Sequence, residues 1–122
     1  MSQAEKNFRV TWDDEAKVMR VEWLPRSVCR LEEAKAVTEA IRATGHDSVP
    51  LYVDMRGMAK FERSAREHFV SDPGGVKVVA LVAESPVTKM MANFFIGMRR
   101  LPVPIQMFTD EAAAVTWLQG HR

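Results

Sequence analysis

Residues 78–83 read Val78-Val79-Ala80-Leu81-Val82-Ala83, and after Glu84 the chain continues Ser85-Pro86-Val87-Thr88-Lys89-Met90-Met91-Ala92-Asn93-Phe94-Phe95-Ile96-Gly97-Met98-Arg99-Arg100. The first run is wholly apolar and of strand length, which suits a strand covered on both faces. The second opens on an N-capping serine and a proline suited to the first helical turn, which predicts a helix over 86–100. At about 100° per residue, Val87, Met90, Met91, Phe94, Phe95, Met98 and Leu101 fall within an arc of roughly 140°. Lys89, Asn93, Arg99 and Arg100 lie outside that arc, with Ile96 among them. Such a helix carries a broad, soft apolar face and a basic back. That surface suits packing, pairing or binding, and it offers no group that makes or breaks bonds.

Working outward, the pattern of a strand followed by a helix repeats. Upstream, Phe8–Trp12 and Val18–Trp23 alternate apolar and polar residues around the acidic turn Asp13-Asp14-Glu15-Ala16-Lys17, with a slip of phase at Met19. This predicts an antiparallel hairpin with one wet face. Leu31, Ala34, Thr38 and Ile41 then recur at helical spacing, and Gly45 provides a C-terminal stop. Val49-Pro50-Leu51-Tyr52-Val53 reads as a buried parallel strand whose proline must sit at its start. Residues 62–71 form a further helix, with Phe61, Ala65 and Phe69 on one stripe, broken by Asp72-Pro73-Gly74-Gly75. Downstream, Ile105–Phe108 is a short strand. Thr109-Asp110-Glu111 opens a last helix whose buried face is Ala113, Ala114, Trp117 and Leu118. The order implies an α/β fold: a mixed, mostly parallel sheet of about five strands with about four helices. No repeat or linker divides residues 1–122, so a single domain is expected, with residues 1–7 as a disordered tail.

Composition narrows the function classes. In 122 residues, 17 basic and 16 acidic side chains leave a net charge of +1, which gives no electrostatic footprint for nucleic acid. Three histidines at 46, 68 and 121 and the single Cys29 lack metal-ligand spacing, so neither a metal nor a cofactor is expected. Cys29 reads as a small apolar filler. No phosphate-loop or dinucleotide fingerprint occurs, and Gly74-Gly75 simply reverses the chain. The lone thiol, the polar N-terminus and the short apolar runs point to a cytoplasmic protein without a transmembrane segment.

Three local stretches add to the element order. They are Val53-Asp54-Met55-Arg56-Gly57-Met58 at a strand end, Val79–Val82 before Ser85-Pro86 and Ala92-Asn93-Phe94-Phe95, and the close Met107-Phe108-Thr109-Asp110-Glu111-Ala112-Ala113-Ala114-Val115-Thr116-Trp117-Leu118. Together they make the chain resemble the STAS domain, the SpoIIAA-like fold of anti-sigma-factor antagonists, and above all its short stand-alone bacterial relatives. The resemblance spans nearly the whole chain at the level of element order. In that family the switch is a phosphorylatable serine in an Asp-Ser-Ser-Gly turn that opens a helix. The equivalent stretch here is Glu62-Arg63-Ser64-Ala65, so the resemblance marks Ser64 as a regulatory phosphosite. Its neighbours depart from the motif, and alanine replaces the glycine. The other readings of Ser64 are an N-cap or a solvated hydroxyl.

Two further surfaces are candidates. Met90, Met91, Phe94, Phe95, Ile96 and Met98 form an interface, an apolar ligand face or plain core. Asp54 stands at a strand end, where open parallel sheets place ligand sites, or else it serves a turn and meets Arg56. Arg56, Lys60, Arg63 and Arg66 either hold an anionic group or form a solvated face balanced by Glu62 and Glu67. An enzyme would need Asp54, Ser64 and His68 to converge, and no catalytic spacing supports one. The expected function is therefore a non-enzymatic regulatory or scaffolding module that acts through protein contacts, as a homodimer or with another protein. The alternative is a carrier or sensor of a small apolar or lipid-like molecule, since STAS folds are compared with the lipid-binding SEC14 fold.

Overall fold

The computed structural model describes residues 7–72, 74–97 and 102–121. The expected order is present with two short strands added: β1 (Phe8–Asp13), β2 (Val18–Trp23), β3 (Ser27–Cys29), α1 (Leu31–Ala43), β4 (Val49–Asp54), β5 (Met58–Phe61), α2 (Arg63–Ser71), β6 (Val76–Val82), α3 (Pro86–Ile96, capped by Gly97 short of the expected residue 100), β7 (Ile105–Phe108) and α4 (Glu111–Gln119). The main sheet runs β1-β2-β4-β6-β7, with β1 antiparallel to β2 and every other neighbour parallel. Each crossover from β2 to β4, β6 and β7 steps the same way. Right-handed connections of one direction put their helices on one face. Accordingly α1, α2 and α3 bury their residues with one side of the sheet, and α4 packs Ala114 and Leu118 against Val18, Tyr52, Val78, Ala80 and Val82 on the other.

The hairpin turn is held by Asp13, whose carboxylate accepts the N–H groups of Glu15 (3.1 Å) and Ala16 (2.9 Å) and the Arg20 Nε–H (2.9 Å). Lys17 takes the left-handed conformation that closes it (φ 60°). The phase slip at Met19 has a structural cause. Met19, Val21 and Trp23 enter the core beneath α1–α3, while Val18 points to the opposite side and is covered by α4. Both faces of β2 are therefore dry at one end. Pro50 is the second residue of β4, at a register shift between Val49 and Pro50, where a missing N–H does least harm. At the other end of the hairpin, the Asn7 carbonyl accepts from the Leu24 N–H at 2.9 Å. Residues 1–6 of the expected tail lie outside the described residues.

The sequence patterns missed one element pair. β3 and β5 form a separate two-stranded parallel ribbon that brings Cys29, Met58 and Phe61 into the core. Strands of three and four residues are too short to show alternation. Gly57 leads into β5 in a place that admits no side chain: a Cβ there would lie 2.6 Å from the Trp23 carbonyl oxygen and 2.8 Å from that of Leu24.

Two expected helix faces are corrected. In α1, Leu31 is exposed and Glu33 is buried, because the Glu33 carboxylate turns back to accept the Arg30 N–H (2.8 Å) in a capping box. In α4, Ala113 is exposed while its N–H is capped by Asp110 at 2.9 Å, and Ala114 and Leu118, four residues apart, carry the burial.

Candidate functional site

The site is built on α3. Ser85 caps it by accepting the Thr88 N–H (3.1 Å), and Thr88 Oγ1 in turn accepts the N–H groups of Ser85 (3.0 Å) and Glu84 (3.1 Å). This reciprocal arrangement ties Thr88 to the inside of the first turn. Thr88, Ala92 and Phe95 then form the buried stripe, with Met91 and Ile96 half-buried on its flanks. On a helical wheel this stripe is about 90° away from the middle of the apolar arc. The reason is packing. Small Thr88 and Ala92 allow the helix axis to approach, whereas the bulkier methionines and phenylalanine would hold it off. Val87, Met90 and Phe94 remain 52%, 59% and 64% exposed. Of the expected face, Phe95 is therefore core, Met91 and Ile96 are flanking, and Met90 and Phe94 are surface. Met98 lies outside the described residues.

The exposed residues border a groove of about 280 Å³. Its walls are Val87, Met90, Met91 and Phe94 of α3, Ala59, Lys60 and Phe61 of β5, and Arg66 of α2. The Arg66 guanidinium donates to the Phe61 carbonyl at 2.6 Å and lies 5.4 Å from the centre of the Phe94 ring and 6.0 Å from that of Phe61. Lys60 meets Glu62 at 3.7 Å, with two thirds of its side chain exposed. Among the described residues the lining holds two cations and no carboxylate.

Beneath the groove lies an interior cavity of about 60 Å³ between the sheet and α1–α3, whose lining among the described residues is apolar side chains. Phe61 borders both spaces. It packs at 5.5 Å from Phe95 and 6.0 Å from Phe69, and Phe69 and Phe95 meet edge to face at 6.3 Å. An apolar cavity of this size, about two fifths the volume of one that admits benzene, takes an atom such as xenon or a very small hydrocarbon.

Most of the remaining candidates meet local partners. Asp54 receives the Arg56 backbone N–H (3.0 Å), Nε–H (2.9 Å) and Nη2–H (2.8 Å), and Arg56 also reaches Glu84 at 3.9 Å. Burial pushes the Asp54 carboxyl up, but the hydrogen bonds from Arg56 outweigh it and leave the group below its ordinary value. All the crossovers run one way, so the sheet has no strand-order reversal beside Asp54 of the kind that opens a ligand crevice. The basic run does not act as one group: Arg56 goes to Asp54, Lys60 to Glu62, Arg63 to Glu67 (3.8 Å) and Arg66 to the Phe61 carbonyl. Ser64 is the second residue of α2 and exposed, and among the described residues its hydroxyl makes no hydrogen bond; the N-cap position is Glu62. His68 Nε2 sits 3.2 Å from Thr38 Oγ1. No hydrogen bond joins Asp54, Ser64 and His68 among the described residues. Cys29 is buried, and burial, then the carboxylates of Glu33 and Glu62, push its thiol far up. His46 stacks on Trp12 at 3.9 Å. No group of three or more metal-ligating side chains occurs among the described residues, and no helix among them is long and apolar enough to cross a membrane.

Neither Lys60 nor Arg66 was legible as a groove wall, because the pairing that places them, Arg66 with Phe94, spans 28 residues and runs through the unforeseen β5.

Comparison with known proteins agrees with this architecture. Residues 12–122 match the family described as Domain of unknown function (DUF7793), and the chain belongs to that family. No curated protein sequence matches it. The crystal structure of a DUF3478-family protein with a SpoIIAA-like fold from Shewanella loihica PV-4 is similar at a TM-score of 0.63 and 11% identity, over 91% of each chain. An anti-sigma factor antagonist from Mycobacterium paratuberculosis is similar at a TM-score of 0.65 and 17% identity, over 92% of each chain. At such identities the likeness is one of fold, and the fold is SpoIIAA-like.

Proposed function

We propose that this DUF7793 domain is a non-enzymatic regulatory or scaffolding module that acts through protein contacts, and that the outer face of α3 makes them. One observation carries the reading. A helix whose buried stripe is already complete leaves Val87, Met90 and Phe94 largely in water, side by side along one wall of a groove. Clustered apolar surface of this kind marks interaction sites. The fold shared with an anti-sigma factor antagonist supports the reading, since that protein is named for acting on another protein. The exposed Ser64 hydroxyl opens the neighbouring helix α2 and is the proposed regulatory phosphosite. The free thiol of Cys29 suits a reducing cytoplasm as the compartment.

The test is Phe94→Asp. Size-exclusion chromatography with light scattering separates a homodimer from a monomer that engages another protein. Loss of association with an unchanged circular dichroism spectrum supports the face; association that survives the substitution refutes it.

A second reading rests on a separate observation, the apolar cavity of about 60 Å³ under Phe61. It suits a sensor or carrier of a very small apolar molecule, and a lipid chain enters only by displacing Phe61 and Phe69, which line it. Mass spectrometry of the purified protein for co-purified lipid, together with thermal shifts in a lipid panel, tests it. Repeated blanks end it.

A further inference from the structure

We propose that the groove between α3, β5 and α2 receives a segment of a different protein that presents an apolar ridge flanked by carboxylates. This rests on the contact-face reading above and names the chemistry of the partner.

Two features of the groove select that chemistry. Its apolar wall, Val87, Met90 and Phe94, is exposed and contiguous. Its charge is one-sided: Lys60 and Arg66 line it, and no acid among the described residues does. Lys60 has Glu62 at 3.7 Å, but no carboxylate pairs with Arg66 among the described residues. Arg66 is nonetheless held in place, with one Nη1–H on the Phe61 carbonyl and its plane beside the Phe94 ring. Arginine has five N–H donors, so most remain for an incoming carboxylate, and little side-chain freedom is left to lose on binding.

The same charge argues against a second copy as the occupant. A two-fold contact sets a patch against itself. Here it would bring the Lys60 and Arg66 edge of one chain to the like edge of the other. A partner with acids around its apolar residues meets no such repulsion, and complementary rims also favour encounter.

The test is selection of a phage-displayed library of random linear 16-residue peptides on the full chain. Enriched sequences are then synthesised and titrated by fluorescence anisotropy. They are expected to combine aromatic or aliphatic residues with Asp and Glu. Phe94→Asp is expected to weaken them more than tenfold, and Lys60→Glu with Arg66→Gln about tenfold, with selection on that variant shifting away from acids. Arg66→Gln keeps a side-chain donor toward the Phe61 carbonyl, and circular dichroism confirms folding. Peptides without acidic bias that still lose affinity with Phe94→Asp overturn the proposed charge chemistry while leaving the contact face intact. No enrichment, or peptides indifferent to Phe94→Asp, overturns both. A dimer of the chain that Phe94→Asp dissolves replaces the acidic partner with a second copy. Binding to phosphatidylserine vesicles that the same substitution abolishes replaces it with a membrane surface.

Discussion

Phe94 and Phe95 are adjacent, chemically identical and differently placed, so truncating each to alanine measures how α3 is rotated. Phe95 is 5% exposed and Phe94 is 64% exposed. A phenylalanine side chain offers about 200 Å² of apolar surface, worth about 25 cal/mol per Å² when removed from water. On that scale the burial of Phe95 is worth about 4–5 kcal/mol, and that of Phe94 at most about 1.8 kcal/mol. Phe95 also borders the interior cavity and packs against Phe61 and Phe69, so its removal enlarges a void that neighbours cannot readily fill. We expect Phe95→Ala to cost about 3–5 kcal/mol, the range for buried phenylalanine. Phe94→Ala is expected to cost about 1 kcal/mol, partly through the lost contact with the Arg66 guanidinium. For a domain of this length about 1 kcal/mol corresponds to about 4 °C in Tm, so the two variants should melt roughly 10–15 °C apart. Differential scanning calorimetry at neutral pH, with urea melts as a second probe, reads the difference. Equal losses, or a larger loss for Phe94→Ala, would refute the orientation of α3 and with it the exposed face on which the functional reading stands.

Other consequences are checked as simply. Asp54 is held below the ordinary carboxyl value of 3.8 by Arg56, so its contribution to stability is present above that value and disappears as pH falls through the lower folded one. The stability gap between wild type and Asp54→Asn in urea melts is thus expected to stay level from about pH 7 to 5 and to close below about pH 3.8; a gap that widens on acidification contradicts the pairing. The Cys29 thiol, buried and pushed up, is expected to resist a disulfide reagent in the native protein and to react fully in guanidinium, and rapid native labelling would show that β3 is open. Val79→Ile places one more methylene beside the interior cavity and is expected to stabilise by about 0.5–1 kcal/mol, whereas a comparable loss would mean that the space is already filled. Ser64→Glu puts a charge on an exposed position in the first turn of α2, so folding stability should change by less than about 1 kcal/mol. Under the phosphosite proposal its association with the selected peptides changes instead, and unaltered binding counts against a switch at Ser64.

Much of the architecture was written in local pattern. The run from Val78 to Ala83 announced a strand buried on both faces, and Ser85-Pro86 announced the helix after it, because caps and unbroken apolar runs act over a few residues. The one-way order of strands and helices sufficed for a mostly parallel sheet. The Asp54–Arg56 pair was equally local, at a separation of two residues. Outside such reach the chain is silent. β3 and β5 are too short to show a period, and their pairing depends on Gly57 passing close under Trp23 and Leu24. The apolar arc of α3 is wider than the stripe its neighbours cover, so periodicity alone admits several rotations of the helix. Close packing around Thr88 and Ala92 chose one of them, burying Phe95 and leaving Phe94 beside Arg66 at the surface. The amino-acid sequence by itself determined that an amphipathic helix would follow a buried strand; only the tertiary structure decided which side of that helix faces water, because that choice depends on how near two elements can approach and not on the character of any one residue.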